Sequence, residues 1–160
     1  MVATPSPNVG AETARPRAPF ESNPLHEMMG LSIGHVEKGH ARVVMRTNRM
    51  TGGQGATAEA GGIGGSVHGG LLAALVDIAA LQAVIASLEP GDRPAGTADL
   101  NITYLRPALG EQIYADARIL RKGRQMIVIE VEITDPNERL CSKARVIYAL
   151  RHEETGTAAV

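Results

Sequence analysis

A chain of 160 residues sets the expectation of one domain with tails. Sixteen Lys and Arg against seventeen Asp and Glu leave a net charge of −1, which argues against an electrostatically driven nucleic-acid binder. The four aromatic residues, Phe20, Tyr104, Tyr114 and Tyr148, are too few for a base-stacking platform. The single cysteine, Cys141, excludes an internal disulfide and a multi-cysteine zinc site. No apolar run approaches the ~20 residues of a membrane span, and prolines stand where a signal peptide would have its apolar region. The expectation is a cytoplasmic protein with no nucleic-acid or membrane partner.

Residues 1–24 contain five prolines, Pro5, Pro7, Pro16, Pro19 and Pro24, without periodic apolar positions, and read as a disordered leader. The stretch Pro24 to Met29 predicts a short helix stopped by Gly30. Residues 31–48 predict a hairpin turning at Lys38-Gly39, with Ala41, Val43 and Met45 on one face. A glycine-rich loop, 51–67, follows. The segment 71–88 (LLAALVDIAALQAVIASL) has the length and Ala/Leu content of a helix and is apolar nearly all round, so it should be buried.

Four alternating segments complete the chain. Leu100, Ile102 and Tyr104 share a face in 99–105, and Ile113, Ala115, Ala117 and Ile119 share one in 112–120. Ile127, Ile129, Val131 and Ile133 oppose Glu130 and Glu132 in 126–134. Leu140, Ala144, Val146, Tyr148 and Leu150 share the last, in 139–150. Such strict alternation predicts an antiparallel sheet with one wet face. Turns are expected at Pro107 to Gly110, Lys122-Gly123 and Asp135-Pro136-Asn137. One sheet curled around one helix leaves that helix partly uncovered, so at least a dimer is expected. The domain should span 25–151, with 152–160 a flexible tail.

Asp77 is the only charged residue from Gly69 through Leu88. Burying an unpaired carboxylate costs several kcal/mol and would raise its pKa, suiting it to general-base or nucleophile work. Alternatively, Asp77 faces solvent or a subunit interface and pairs with an arginine. His68-Gly69-Gly70 stands at the helix start, where unpaired amides carry the positive end of the macrodipole and glycines admit a substrate closely. Such amides could stabilise an oxyanion, or the glycines could simply begin a helix. Gly70 and Asp77 are separated by roughly 10 Å of helix rise, too far to meet on one reacting carbon. If both act on one substrate, they come from different subunits.

Other motifs are weaker. Gly61 to Ser66 lacks the Lys-[Ser/Thr] pair of a P-loop and does not complete G-x-G-x-x-G. His26, His35, His40 and His152 show no metal-ligand spacing and are expected on the solvated surface. No metal is expected. No G-x-S-x-G elbow supports a serine hydrolase.

Ser66 to Asp77 (SVHGGLLAALVD) resembles the H-G-G-x6-D signature of PaaI-like hotdog-fold acyl-CoA thioesterases. Asp99 to Pro107 (DLNITYLRP) is similar to that family's third-strand segment, and Arg121-Lys122-Gly123-Arg124 to its strand-turn pattern. The resemblance covers about residues 28–150. It implies an α+β hotdog fold, a five- to six-stranded antiparallel sheet around one long central helix, assembled as a dimer or tetramer with active sites at the subunit interface. It implies no cofactor other than the coenzyme A carried by the substrate. By the same resemblance Asp77 would activate water or attack the thioester, and the Gly69 amide would polarise its carbonyl. His68 would shape the loop, and Thr97 would orient the water. Gly70 would border the substrate, and Arg106, Arg121, Lys122 and Arg124 are candidates for the coenzyme A phosphates.

One departure concerns Gly62, which stands where the family commonly has Asn or Gln; Gln54 or Asn48 are the possible substitutes. Since one oxyanion donor is worth ~10²–10³ in turnover, a weakly active or non-catalytic acyl-CoA-binding hotdog protein is the alternative. A hotdog hydratase or dehydratase is the third reading.

Overall fold

The computed structural model describes residues 19–48, 51 and 65–152. They form two helices, α1 (Pro24–Met28) and α2 (Gly69–Ser87), and six strands. The strands are β1 (Leu31–Glu37), β2 (His40–Arg46), β3 (Asp92–Tyr104), β4 (Gln112–Lys122), β5 (Met126–Thr134) and β6 (Leu140–His152). One fully antiparallel sheet in the order β1-β2-β4-β5-β6-β3 curls around α2, the hotdog arrangement.

The inner face is the one the alternation predicts. Val43, Met45, Ile113, Ile129, Val131 and Val146 are fully buried there. The helix lies mainly over β2 and β4. Both surfaces carry small residues, Ala41, Ala115 and Ala117 on the sheet and Ala79, Ala80 and Ala83 on the helix, all fully buried. Small side chains let helix and sheet approach closely, and dense packing there maximises dispersion contacts.

Among the differences from the sequence expectation, three are the most informative. Helix α2 begins at Gly69 rather than Leu71, because His68 is its N-cap: the His68 Nδ1 accepts from the Gly70 N–H at 3.1 Å. Strand β3 begins at Asp92 rather than 99, although it contains Pro94 and Gly96. As an edge strand bonded only to β6 among the described residues, it tolerates a missing N–H, and bulges at Ala95 and Ala98 absorb the irregularity. Lastly, Phe20–Ser22, within the leader expected from composition, forms a 3-10 turn. Phe20 packs on the core and its carbonyl lies 2.8 Å from the His26 Nδ1, so His26 is not simply a solvated surface residue.

The expectation that no apolar run approaches a membrane span also needs correction. The 19 residues of α2 are long and apolar enough for one by length and composition. Here nine of them are buried against the sheet. The opposite face, with Ala73, Ala74, Leu81 and Ile85, is only half covered.

Candidate active site

Asp77 lies in the middle of α2 on the half-covered face. Its Oδ1 accepts a 2.5 Å hydrogen bond from the Thr97 Oγ1, and among the described residues it forms no ion pair, so the arginine partner weighed from the sequence is absent there. Thr97 reaches the helix because of a bulge. Leu100 and Ile102 pair with the inward Val146 and Ala144, and strict alternation would carry that face on to Ala98. The extra residue at Ala98 shifts the phase, so Thr97 pairs with the inward Tyr148 and faces α2.

The helix start is built differently from its middle. The His68 ring occupies the Gly70 N–H, and the Leu71 N–H donates to the His68 carbonyl. No described residue accepts from the Gly69 N–H. The two glycines differ in the room they leave. A Cβ on Gly69 would stand 3.4 Å from the Tyr104 ring, and one on Gly70 would stand 3.2 Å from the His68 Nδ1. The Tyr104 hydroxyl donates to the Gly69 carbonyl at 2.8 Å, fastening β3 to the first turn of α2. Sequence reasoning placed Tyr104 on the inner face without this role; its 50% exposure marks it as a wall rather than core.

Gly69, Leu72, Tyr104 and Arg106 line an open recess of about 290 Å³ at this end of the helix. Arg106 is thus the one candidate phosphate ligand placed beside Gly69. Arg121, Lys122 and Arg124 sit on the β4–β5 turn, at the other end of α2. Lys122 donates to the Ser87 carbonyl at 2.7 Å and to the Asp92 Oδ2 at 2.6 Å, so its charge is committed to closing the C-terminal end of the helix. The ammonium of Lys122, joined by the Glu89 N–H, holds the Asp92 carboxyl below the usual carboxylate range. Arg121 and Arg124 are exposed.

The Asn48 side chain accepts from the Thr51 N–H in its own loop and donates to the Met28 carbonyl at the end of α1. Gly62 and Gln54 lie outside the described residues. Cys141 is buried, its thiol pushed up by that burial, as expected of a packing residue.

Residues 64–142 match the family model described as the thioesterase superfamily. Over 137 residues the chain is 26% identical to the medium/long-chain acyl-CoA thioesterase YigI of Escherichia coli, covering 78% of this chain and 84% of that protein. A thioesterase of Haemophilus influenzae superposes with a TM-score of 0.71 at 23% identity, over 85% of this chain and 89% of that one. The PaaI protein of the Escherichia coli phenylacetic acid degradation operon superposes with a TM-score of 0.66 at 21% identity, over 84% and 88%. The family model falls on the stretch from the residues before His68 to the start of β6, and the same fold recurs in these structures, so over that stretch this chain is similar to the thioesterase superfamily.

Proposed function

We propose that this chain hydrolyses acyl-CoA thioesters to free carboxylic acid and coenzyme A, with its residues in the following roles. Thioester hydrolysis is the activity that the family-model match and the thioesterase relatives support; the acyl-CoA substrate and the residue roles are the proposal. The observation that carries them is the Thr97–Asp77 hydrogen bond between β3 and α2. It fixes one carboxylate oxygen and leaves the other for a water or for direct attack. The Thr97 oxygen, with its O–H already donating a hydrogen bond to Asp77, accepts a hydrogen bond from that water and sets its direction.

The Gly69 N–H, pointing out of the helix start, receives the oxyanion that forms on the thioester carbonyl. His68 acts by capping Gly70, which holds the neighbouring amide in place, and Gly70 borders the substrate. Eight residues of helix separate Gly69 from Asp77, about 12 Å of rise. One protomer therefore cannot present both to one carbonyl, and the complete site combines Asp77 of one copy with Gly69 of another. The free edge of β3 and the half-covered apolar face of α2 support such pairing. Arg106 takes a coenzyme A phosphate at the recess, and Arg121 and Arg124 offer charge at the far end of the helix. The chemistry calls for no metal or other cofactor.

The test is free-thiol release from medium-chain, long-chain and aryl acyl-CoAs by wild type, Asp77→Ala and Asp77→Asn. Loss of turnover in both variants, each still folded, supports the assignment. Unchanged turnover in either one removes Asp77 from the mechanism.

A further inference from the structure

A cluster distant from the proposed active site has the geometry of a metal site. His35, Glu37 and His40 bring three ligand atoms within 4.8 Å of one another across the β1–β2 hairpin. The hairpin turn lies near the C-terminal end of α2, where the Lys38 ammonium pairs with Glu89. The sequence hides the cluster, because positions 35, 37 and 40 follow no familiar ligand spacing.

A bulge again makes the arrangement. Ile33 pairs with Val43, but the next pair is His35 with Arg42, leaving Gly34 as the extra residue. Without it His35 would oppose the buried Ala41 and point into the core. With it, His35, Glu37, His40 and Arg42 all project from the outer face. Gly34 suits the position: a Cβ there would stand 3.0 Å from the Val44 Cγ2 and 3.2 Å from the Arg42 Cγ.

The His40 ring is oriented from behind. Its Nε2 lies 3.0 Å from the Asp116 Oδ1, and the other oxygen of Asp116 is held by Arg42, at 2.8 Å from Nε and 2.7 Å from Nη2. Both the His40 and Asp116 side chains are largely buried. With Nε2 donating to Asp116, the lone pair of Nδ1 is left facing Glu37, whose Oε1 is 3.3 Å away. Metal bonds of about 2.0–2.1 Å in a tetrahedron place neighbouring ligand atoms about 3.3 Å apart. The His35 Nε2 lies 3.7 Å from the Glu37 Oε2, and His35 is exposed enough to adjust. A carboxylate behind a histidine is the usual outer shell of such a ligand.

We propose that His35, Glu37 and His40 form a binding site for one zinc-class divalent ion, with Asp116 as the orienting outer-shell residue. Two imidazoles and a carboxylate suit Zn2+ or Ni2+, and a fourth position stays open to water. The bound ion would pin the outermost strand, β1, to its neighbour. This inference is independent of the thioesterase chemistry.

The test is calorimetric titration of the untagged full chain with Zn2+, paired with Co2+ titration followed by visible absorption. Expected are one ion per chain and a Co2+ spectrum of four-coordinate type. Because His35 and Glu37 are exposed, His35→Ala and Glu37→Gln should fold normally and weaken binding by at least about tenfold; Asp116→Asn should weaken it by about 10–100-fold. Thiol-release activity of His35→Ala without metal should equal that of wild type. Equal Zn2+ affinity in wild type and the folded His35→Ala variant would overturn the proposal, as would no saturable binding at all; His40 would then be a plain ion-pair bridge between Glu37 and Asp116.

Discussion

Thr97 on the edge strand and Asp77 in the middle of the central helix are joined by a 2.5 Å hydrogen bond, twenty residues apart in sequence. A hydroxyl donating to a carboxylate is a charge-assisted bond, worth about 1.5–3 kcal/mol. Thr97→Val removes the donor and keeps the shape. It should lower kcat by about 10–100-fold, while Asp77→Asn should lose about 10²–10⁴. Steady-state thiol release on both variants checks the ranking. A Thr97→Val enzyme as fast as wild type would assign the bond to stability alone.

The Gly69 amide has a clean test in proline. Proline is well tolerated at the first helical position, where its missing N–H breaks no intrahelical bond. His68 already has the extended backbone, φ −62 and ψ 133, that a following proline requires. Gly69→Pro should therefore fold, yet lose about 10²–10³ in kcat if its N–H meets the oxyanion. Turnover within a factor of two of wild type, with the melting temperature preserved, would exclude that amide as the donor.

A site shared between copies predicts complementation. Asp77→Ala and Gly69→Pro are each impaired alone, but a mixed dimer has one site with both groups intact. Random reassortment of equal amounts should restore about a quarter of the wild-type sites, since half of the dimers are mixed and one of their two sites is whole. Activity that never exceeds the sum of the separate variants would place both groups in one protomer.

The two glycines differ in what a methyl group would do. Gly70→Ala drives a Cβ to 3.2 Å from the His68 Nδ1 and displaces the cap. The loss should be about 1 kcal/mol, or a few degrees in Tm for a domain of this size. His68→Ala should cost a similar amount. Thermal denaturation of both variants and their combination should show that the two effects do not add, because each removes the same hydrogen bond.

Stability should fall on the acid side. The Arg139 guanidinium, 2.6 Å away, and the Arg139 and Asn137 N–H groups hold Asp135 below the usual carboxylate range. Lys122 does so for Asp92. Burial pushes Asp116 up, but Arg42 and His40 outweigh it and the net direction is down. A depressed native value means stabilisation that is fully present above the unfolded pKa, about 4, and is lost as pH falls through the native values. Tm should be nearly flat from pH 7 to about 5 and drop below about 4, with a shallower drop in Asp135→Asn. A Tm unchanged down to pH 3 would contradict this.

The alternation of apolar residues determined much of this protein. Two-residue periodicity sets which side of each strand meets the helix, and that pattern located β2, β4, β5 and β6 and their buried faces, because burial on one face leaves no freedom of register. The helix was equally legible from its Ala and Leu content, and Asp77 stood out as its only charge. The family resemblance then named His68 and Gly69 from the H-G-G-x6-D motif, and Thr97 from the segment ahead of the third strand. What periodicity could not supply was the phase at the bulges. An extra residue at Ala98 turns Thr97 toward Asp77, and one at Gly34 turns His35 outward beside Glu37 and His40. A bulge is fixed by backbone pairing between strands distant in sequence, so it leaves no local periodic mark. Partner choice is equally nonlocal: Lys122 reads in the chain as a candidate for a coenzyme A phosphate, and only folding brings Asp92 and the last turn of α2 to its ammonium.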